Sequence, residues 1–211
     1  MIEYEMQMNQ KMYGSGCMEK LIKIPTALPD IFFIEPRVFS DSRGFFFESY
    51  NRRDMELIGI SDDFVQDNQS CSAKGVVRGL HFQIRHPQGK LVRVLRGSIY
   101  DVVVDLRNGS PTWGKSLGFK ISAHDFRMIW VPVGFAHGFL SLEDHTEVLY
   151  KTTDFYYPEY DAGIRWNDPE LGIYWPLSQY RISSAIVSEK DAHLPLSKEI
   201  ESPFEYGGST V

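Results

Sequence analysis

Apolar and polar positions along this chain change in short runs. No long helical stripe is visible between residues 90 and 153. Residues 90–96 are apolar and β-branched up to Gly97, and 98–106 follow with Ile99, Tyr100 and the run Val102-Val103-Val104. Asn108-Gly109-Ser110-Pro111 reads as a turn, 118–122 and 128–131 as further short strands, and 147–153 alternates. Short strands separated by Gly, Pro and Asn predict a mainly β protein, a sandwich or barrel. One short helix is predicted at 51–57, capped by Asn51 or Ser49 and stopped by Gly59.

The two ends break this pattern. Residues 1–17 carry no strand or helix period and close on Gly14-Ser15-Gly16-Cys17; 197–211 close on Gly-Gly-Ser-Thr-Val. Both are expected to be tails around a domain spanning 18–196. A chain of 211 residues is long enough for one domain with a sizeable core. With 22 basic against 28 acidic residues, a net charge of −6, no nucleic-acid footprint is expected. Two cysteines, Cys17 and Cys71, build no disulfide framework, and a reducing cytoplasm fits them. No stretch approaches the roughly 20 apolar residues of a membrane span, and no secretory signal is apparent. The chain also lacks a Walker or Rossmann glycine loop, a Gly-x-Ser-x-Gly elbow and a Cys-x-x-Cys pair.

Four segments carry candidate chemistry. In Arg78-Gly79-Leu80-His81-Phe82-Gln83 the glycine allows close backbone approach to a ligand, the arginine offers a fork for phosphate, and the histidine exchanges protons near neutral pH. A lone histidine on a strand is ordinarily a hydrogen-bonded core residue; Arg78 and Lys90 nearby favour a chemical role. Pro132-Val133-Gly134-Phe135-Ala136-His137 resembles the second conserved motif of cupins, which implies a cupin-type β jelly-roll barrel with a few short helices. Cupins usually bind a metal through a first motif containing His-x-His, but here that place reads His81-Phe82-Gln83. With only His81 and His137 as clear donors, no metal is expected. His86, His124, His145 and His193 lie in polar stretches and read as solvated. In Glu147-Val148-Leu149-Tyr150-Lys151-Thr152-Thr153 a strand places Tyr150 and Thr152 on one face and Lys151 on the other. Tyr150 has two readings, a core aromatic or a proton donor. Ser188-Glu189-Lys190-Asp191 is by itself an ordinary polar turn.

Taken in order, these segments resemble the dTDP-4-dehydrorhamnose 3,5-epimerase family, from about residue 31 to 191. Further landmarks are Asp41-x-Arg43-Gly44-Phe45-Phe46-Phe47-Glu48, Gln66-Asp67-Asn68, Gln88-Gly89-Lys90, Asp105-Leu106-Arg107, Trp166-Asn167-Asp168-Pro169 and Ser188-x-Lys190-Asp191. The resemblance implies epimerisation at C3 and C5 of a dTDP-linked 4-keto-6-deoxy sugar, without a cofactor. It implies His81 as base, Asp191 as its carboxylate partner, Tyr150 as acid on the opposite sugar face, and Lys90 beside the C4 oxygen. It implies substrate contacts for Arg43, Glu48, Gln66, Asn68, Arg78 and His137, and further ligand positions at Asp161 and Lys190. It also implies a homodimer in which residues near the N-terminal strands reach the partner's site. Phe46, Tyr156 and Tyr157 are candidates to stack on the base, with core packing as the plainer reading of each. The 84–88 loop is about one residue shorter than the family pattern, which bears on the placement of Lys90. Three alternatives stand beside this reading: a single-centre epimerase or 3,4-ketoisomerase on the same fold, a non-catalytic sugar-nucleotide-binding cupin, and a metal-dependent cupin enzyme.

Overall fold

The computed structural model describes residues 20–207. The N-terminal tail expected over 1–17 lies outside the described residues, as do the last four residues. The chain forms β1 (Leu21–Pro25), β2 (Phe32–Pro36), β3 (Phe39–Asp41), β4 (Gly44–Phe46), α1 (Arg52–Leu57), β5 (Gln66–Ser72), β6 (Val76–Gln83), β7 (Lys90–Arg96) and β8 (Ser98–Asp105). It continues with β9 (Ser116–Ser122), β10 (Met128–Val131), β11 (Phe135–Ser141), β12 (Thr146–Thr152), β13 (Asp161–Gly163), β14 (Ile186–Val187) and α2 (Glu189–Ala192). The mainly β expectation holds. The expected helix is α1, with the Asn51 side chain accepting from the Arg53 N–H.

Two sheets face each other. One has the order β1-β2-β10-β7-β12-β5, the other β13-β6-β11-β8-β9 with β14 beside β6; β3 and β4 form a separate hairpin. Alternation sends one set of side chains between the sheets. Val92, Val94, Ile129, Val131 and Val148 from the first sheet meet Ile99, Val103, Ile121, Phe135 and Phe139 from the second. The outer faces are covered as well. Leu91, Met128 and Trp130 pack with Met55 of α1, and Leu80, Phe82, Val102 and Val104 pack with Ile164 and Phe204.

Two glycines of the sequence motifs serve the sheet. A Cβ on Gly79 would lie 2.6 Å from the Gly138 Cα, and one on Gly138 would lie 2.5 Å from the Arg78 carbonyl oxygen. Strands β6 and β11 touch here, beside the register shift between His137 and Phe139. Gly79 was expected to admit a ligand; its closest approach is to a neighbouring strand.

Residues 197–207, expected as a tail, are laid against the barrel. Phe204 is buried, its ring 5.7 Å from that of Phe82. Asn108 N–H donates to the Phe204 carbonyl, Tyr206 N–H donates to the Asn108 carbonyl, and Tyr206 sits over the Arg107 guanidinium. The tail reading failed because one buried aromatic, two backbone hydrogen bonds and one ring contact leave no periodic trace in a stretch this short.

Candidate active site

The interior is apolar toward one end and polar toward the other. At the polar end β6 presents His81 on the face opposite Leu80 and Phe82, which pack outward. Ser188 caps α2 by accepting from the Asp191 N–H, and this turn carries the Asp191 carboxylate inward. Asp191 Oδ1 lies 2.8 Å from His81 Nε2, and Oδ2 accepts from the Gly79 N–H at 3.2 Å. The His81 side chain is 31% exposed and that of Asp191 6%. Burial pushes the Asp191 carboxyl up, but His81, the Gly79 N–H and Lys190 outweigh it and hold the group below its ordinary range. Asp191 is therefore an anion, and the His81 nitrogen facing it carries the proton. The free lone pair of neutral His81 is on Nδ1.

Lys90 begins β7. Its Nζ donates to the His81 carbonyl at 3.2 Å, so the shortened 84–88 loop still delivers it to this end. Burial pulls its ammonium down to about 8, against the opposing charges of Asp161 and Asp101. His137 of β11 pairs in register with His81, is buried, and meets Asp101 Oδ2 at 2.8 Å through Nε2.

Tyr150 stands on the facing sheet. It belongs to β12, pairs with Asn68 and Val92, and packs against the inner core. Burial, with a smaller contribution from Asp161 against Arg78, raises its phenol above the ordinary value, so it keeps its proton. Lys151 points the other way, to Asp67. Beside Tyr150, Gln66 donates to Asn68 at 2.9 Å and accepts from the Tyr156 N–H. Arg78 is exposed and bonds Ser72 Oγ and the Cys71 carbonyl. Asp161 accepts from the Tyr156 hydroxyl and from Lys190.

Arg43 and Glu48 stand apart. Arg43 is in the exposed β3–β4 hairpin and bonds Asp41; Glu48 bonds Lys20 and Asn51. Among the described residues neither bonds any group around His81. Phe46 is 69% exposed and Tyr156 48%, so the core reading of both is corrected. Tyr157 is half-buried and faces His86, their rings 4.5 Å apart. His86, His124, His145 and His193 are all exposed.

The residues do not fit a cupin metal. Where a second histidine would stand, the Gln83 amide donates to the His86 and Phe155 carbonyls and accepts from the Tyr157 N–H. The two inward histidines each spend Nε2 on a carboxylate. Two residues were missed in the sequence. Gln83 holds the 155–157 loop; Asp101 left a single trace, a carboxylate in the middle of a strand rich in β-branched residues.

Among the described residues no helix is long and apolar enough to cross a membrane. The family model for dTDP-4-dehydrorhamnose 3,5-epimerase matches residues 25–199. The dTDP-4-dehydrorhamnose 3,5-epimerase of Pseudomonas aeruginosa is 57% identical over 166 residues, which are 78% of this chain and 90% of that protein. Its counterpart in Salmonella typhimurium is 52% identical over 178 residues, covering 83% and 95%. Among solved structures, a dTDP-6-deoxy-D-glucose-3,5-epimerase from Legionella pneumophila in complex with dTDP-4-keto-L-rhamnose superposes with a TM-score of 0.83 at 45% identity, covering 88% of this chain and 98% of that one. The barrel, its polar end and these likenesses agree, and the chain belongs to the dTDP-4-dehydrorhamnose 3,5-epimerase family.

Proposed function

We propose that the chain converts dTDP-4-dehydro-6-deoxy-D-glucose to dTDP-4-dehydro-L-rhamnose, inverting C3 and C5 by proton exchange, as a step in deoxysugar biosynthesis in the cytoplasm. The observation that carries this reading is the 2.8 Å pairing of His81 with buried Asp191 at the polar end of the interior, with Tyr150 on the facing sheet. The C4 ketone acidifies the hydrogens on C3 and C5. His81 Nδ1 takes one of them, and the electron pair of the broken C–H bond moves into an enolate with its charge on the C4 oxygen. Asp191 stabilises the imidazolium that forms. The Lys90 ammonium faces the enolate oxygen, an electrostatic contribution of about 3 kcal/mol. Tyr150 then protonates the same carbon from the opposite side, inverting it. The sugar keeps its oxidation state throughout, so the exchange calls for no redox partner.

The same reading makes the protein a homodimer in which Arg43 and Glu48 serve the partner's site. Support comes from the hairpin that carries Arg43, where Phe39, Phe45 and Phe46 are all more than half exposed. Nearby, Arg93 lies over the Phe47 ring at 4.5 Å with a buried Nε that has no hydrogen-bond partner among the described residues. Apolar surface and an unpaired buried donor together suit a covered face.

Incubating the 4-keto-6-deoxy sugar nucleotide with enzyme in deuterated water tests the activity. Deuterium is expected at both C3 and C5. Label at C3 alone would establish a single-centre epimerase, and tight binding without any exchange would establish a binding module.

A further inference from the structure

The segment Trp166-Asn167-Asp168-Pro169 stands out in the sequence, yet the proton transfers above leave its carboxylate without a task. Asp168 is 2% exposed. Its Oδ2 accepts from the Ser197 N–H at 2.6 Å, and its Oδ1 from the Glu170 N–H at 2.8 Å. Its own N–H donates to the Arg165 carbonyl at 3.1 Å and closes a turn. Arg165 holds the same passing segment. Its backbone N–H donates to the Pro195 carbonyl at 2.9 Å, and its Nε to the Leu194 carbonyl at 3.0 Å. Residues 165–168 thus form a bracket on 194–197. The bracket is itself fixed to the strand of the proposed base: Gly163 pairs with His81, and Ile164 exchanges two backbone hydrogen bonds with Leu80.

The segment so held begins three residues after Asp191. Helix α2 is a single turn of four residues, too short to keep its shape alone. What secures the two ends of that turn therefore sets where Asp191 stands. Before it, Ile186 and Val187 pair with Val76 and Val77 of β6. After it comes the bracket. Both ends return to β6, so the frame that spans Asp191 closes on the strand that carries His81.

We propose that Asp168 is a positioning residue of the epimerisation, pinning 194–197 so that α2 holds the Asp191 carboxylate against His81 Nε2. It acts on the sugar only through Asp191 and His81. The inference rests on the reading of His81 as the base. A carboxylate suits the place because both of its oxygens face N–H donors; an amide would turn its own donor toward one of them.

Two variants break the Ser197 bond from its two sides. Asp168→Asn keeps the shape but loses one acceptor. Ser197→Pro removes the donor, and proline suits the first position of a 3₁₀ turn that follows an extended residue, as Leu196 is here. In each, kcat is expected to fall about 10- to 100-fold while dTDP affinity changes less than about twofold, since a small displacement of Asp191 misplaces the base's proton and leaves the nucleotide contacts alone. Ring-nitrogen NMR of 15N-histidine protein, assigned with His81→Gln, is expected to show Nε2–H for His81 in the wild type and a population of Nδ1–H in both variants. Wild-type kcat per folded molecule with an unmoved His81 tautomer, even at a lowered Tm, would overturn the proposal and leave Asp168 a purely structural residue. Should Asp168→Asn fail to fold, Ser197→Pro decides. A wild-type chain that exchanges no deuterium would overturn the epimerase reading instead, and the His81 tautomer in the variants would still decide whether Asp168 sets the pair.

Discussion

The pairing of His81 with Asp191 puts one side chain's chemistry under another's control. The carboxylate requires the proton on Nε2 and so leaves Nδ1 with the free lone pair that the proposed mechanism uses as base. In Asp191→Asn the amide can donate to Nε2 instead, placing the proton on Nδ1 and silencing the base. Turnover is expected to fall by roughly 10²- to 10⁴-fold with dTDP binding nearly unchanged, as checked by steady-state rates and calorimetry. His81→Ala should abolish turnover in the same assays. Lys90 sets a different limit. Its ammonium is lowered to about 8, so the charged form prevails below that pH and is lost above it. Hence kcat/KM is expected to decline above about pH 8, approaching tenfold per unit. Lys90→Arg, whose charge persists, should be slower but lose that limb; a wild-type profile flat to pH 10 would separate Lys90 from the chemistry. Of this site, the motif order marked the residue types, because His81, Lys90 and Tyr150 each sit in a dense run. The pairing of positions 110 apart was invisible locally, since only the turn into α2 brings Asp191 back to β6. Asp101 escaped because one carboxylate among valines carries no spacing to recognise.

Strands β7, β8, β9, β10 and β12 were legible because core alternation and Gly or Pro punctuation mark them. Strand β5 was not. Its inward positions Gln66, Asn68, Ser70 and Ser72 are polar, since they lie on the side that lines the site, and no apolar period survives. Strand β11 is buried along its whole length and so shows no alternation. The stretch after α2 was misread as a tail for the same kind of reason: its contribution is concentrated in Phe204. That ring closes the outer layer over Leu80, Phe82, Val104 and Leu106, directly behind the strand that carries His81. Phe204→Ala is expected to destabilise the fold by about 3–5 kcal/mol, seen as a lower midpoint in chemical denaturation. Residual activity per folded molecule should stay near wild type, because Phe82 and His81 point to opposite faces of β6. A variant with an unchanged midpoint would show that the segment contributes no packing.

At the scale of the whole molecule, a single chain leaves two things unfinished. The hairpin displays phenylalanines to solvent, and among the described residues Arg43 and Glu48 bond only groups near themselves. A twofold dimer answers both, since an isologous interface buries the same patch twice and carries each hairpin to the other subunit. Mass measurement in solution should give a dimer, and Phe45→Glu should weaken it by placing a charge in a desolvated interface. Complementation tests the sharing of sites directly. Arg43→Ala alone and His81→Ala alone should each be inactive or nearly so. In a dimer formed from one chain of each kind, the subunit that keeps His81 receives Arg43 from its partner, and one complete site results. Random reassortment of an equal mixture makes half the dimers mixed, each with one complete site of two, so about a quarter of wild-type activity should return. If Arg43 served its own subunit, every site in the mixture would lack one residue and no activity would return.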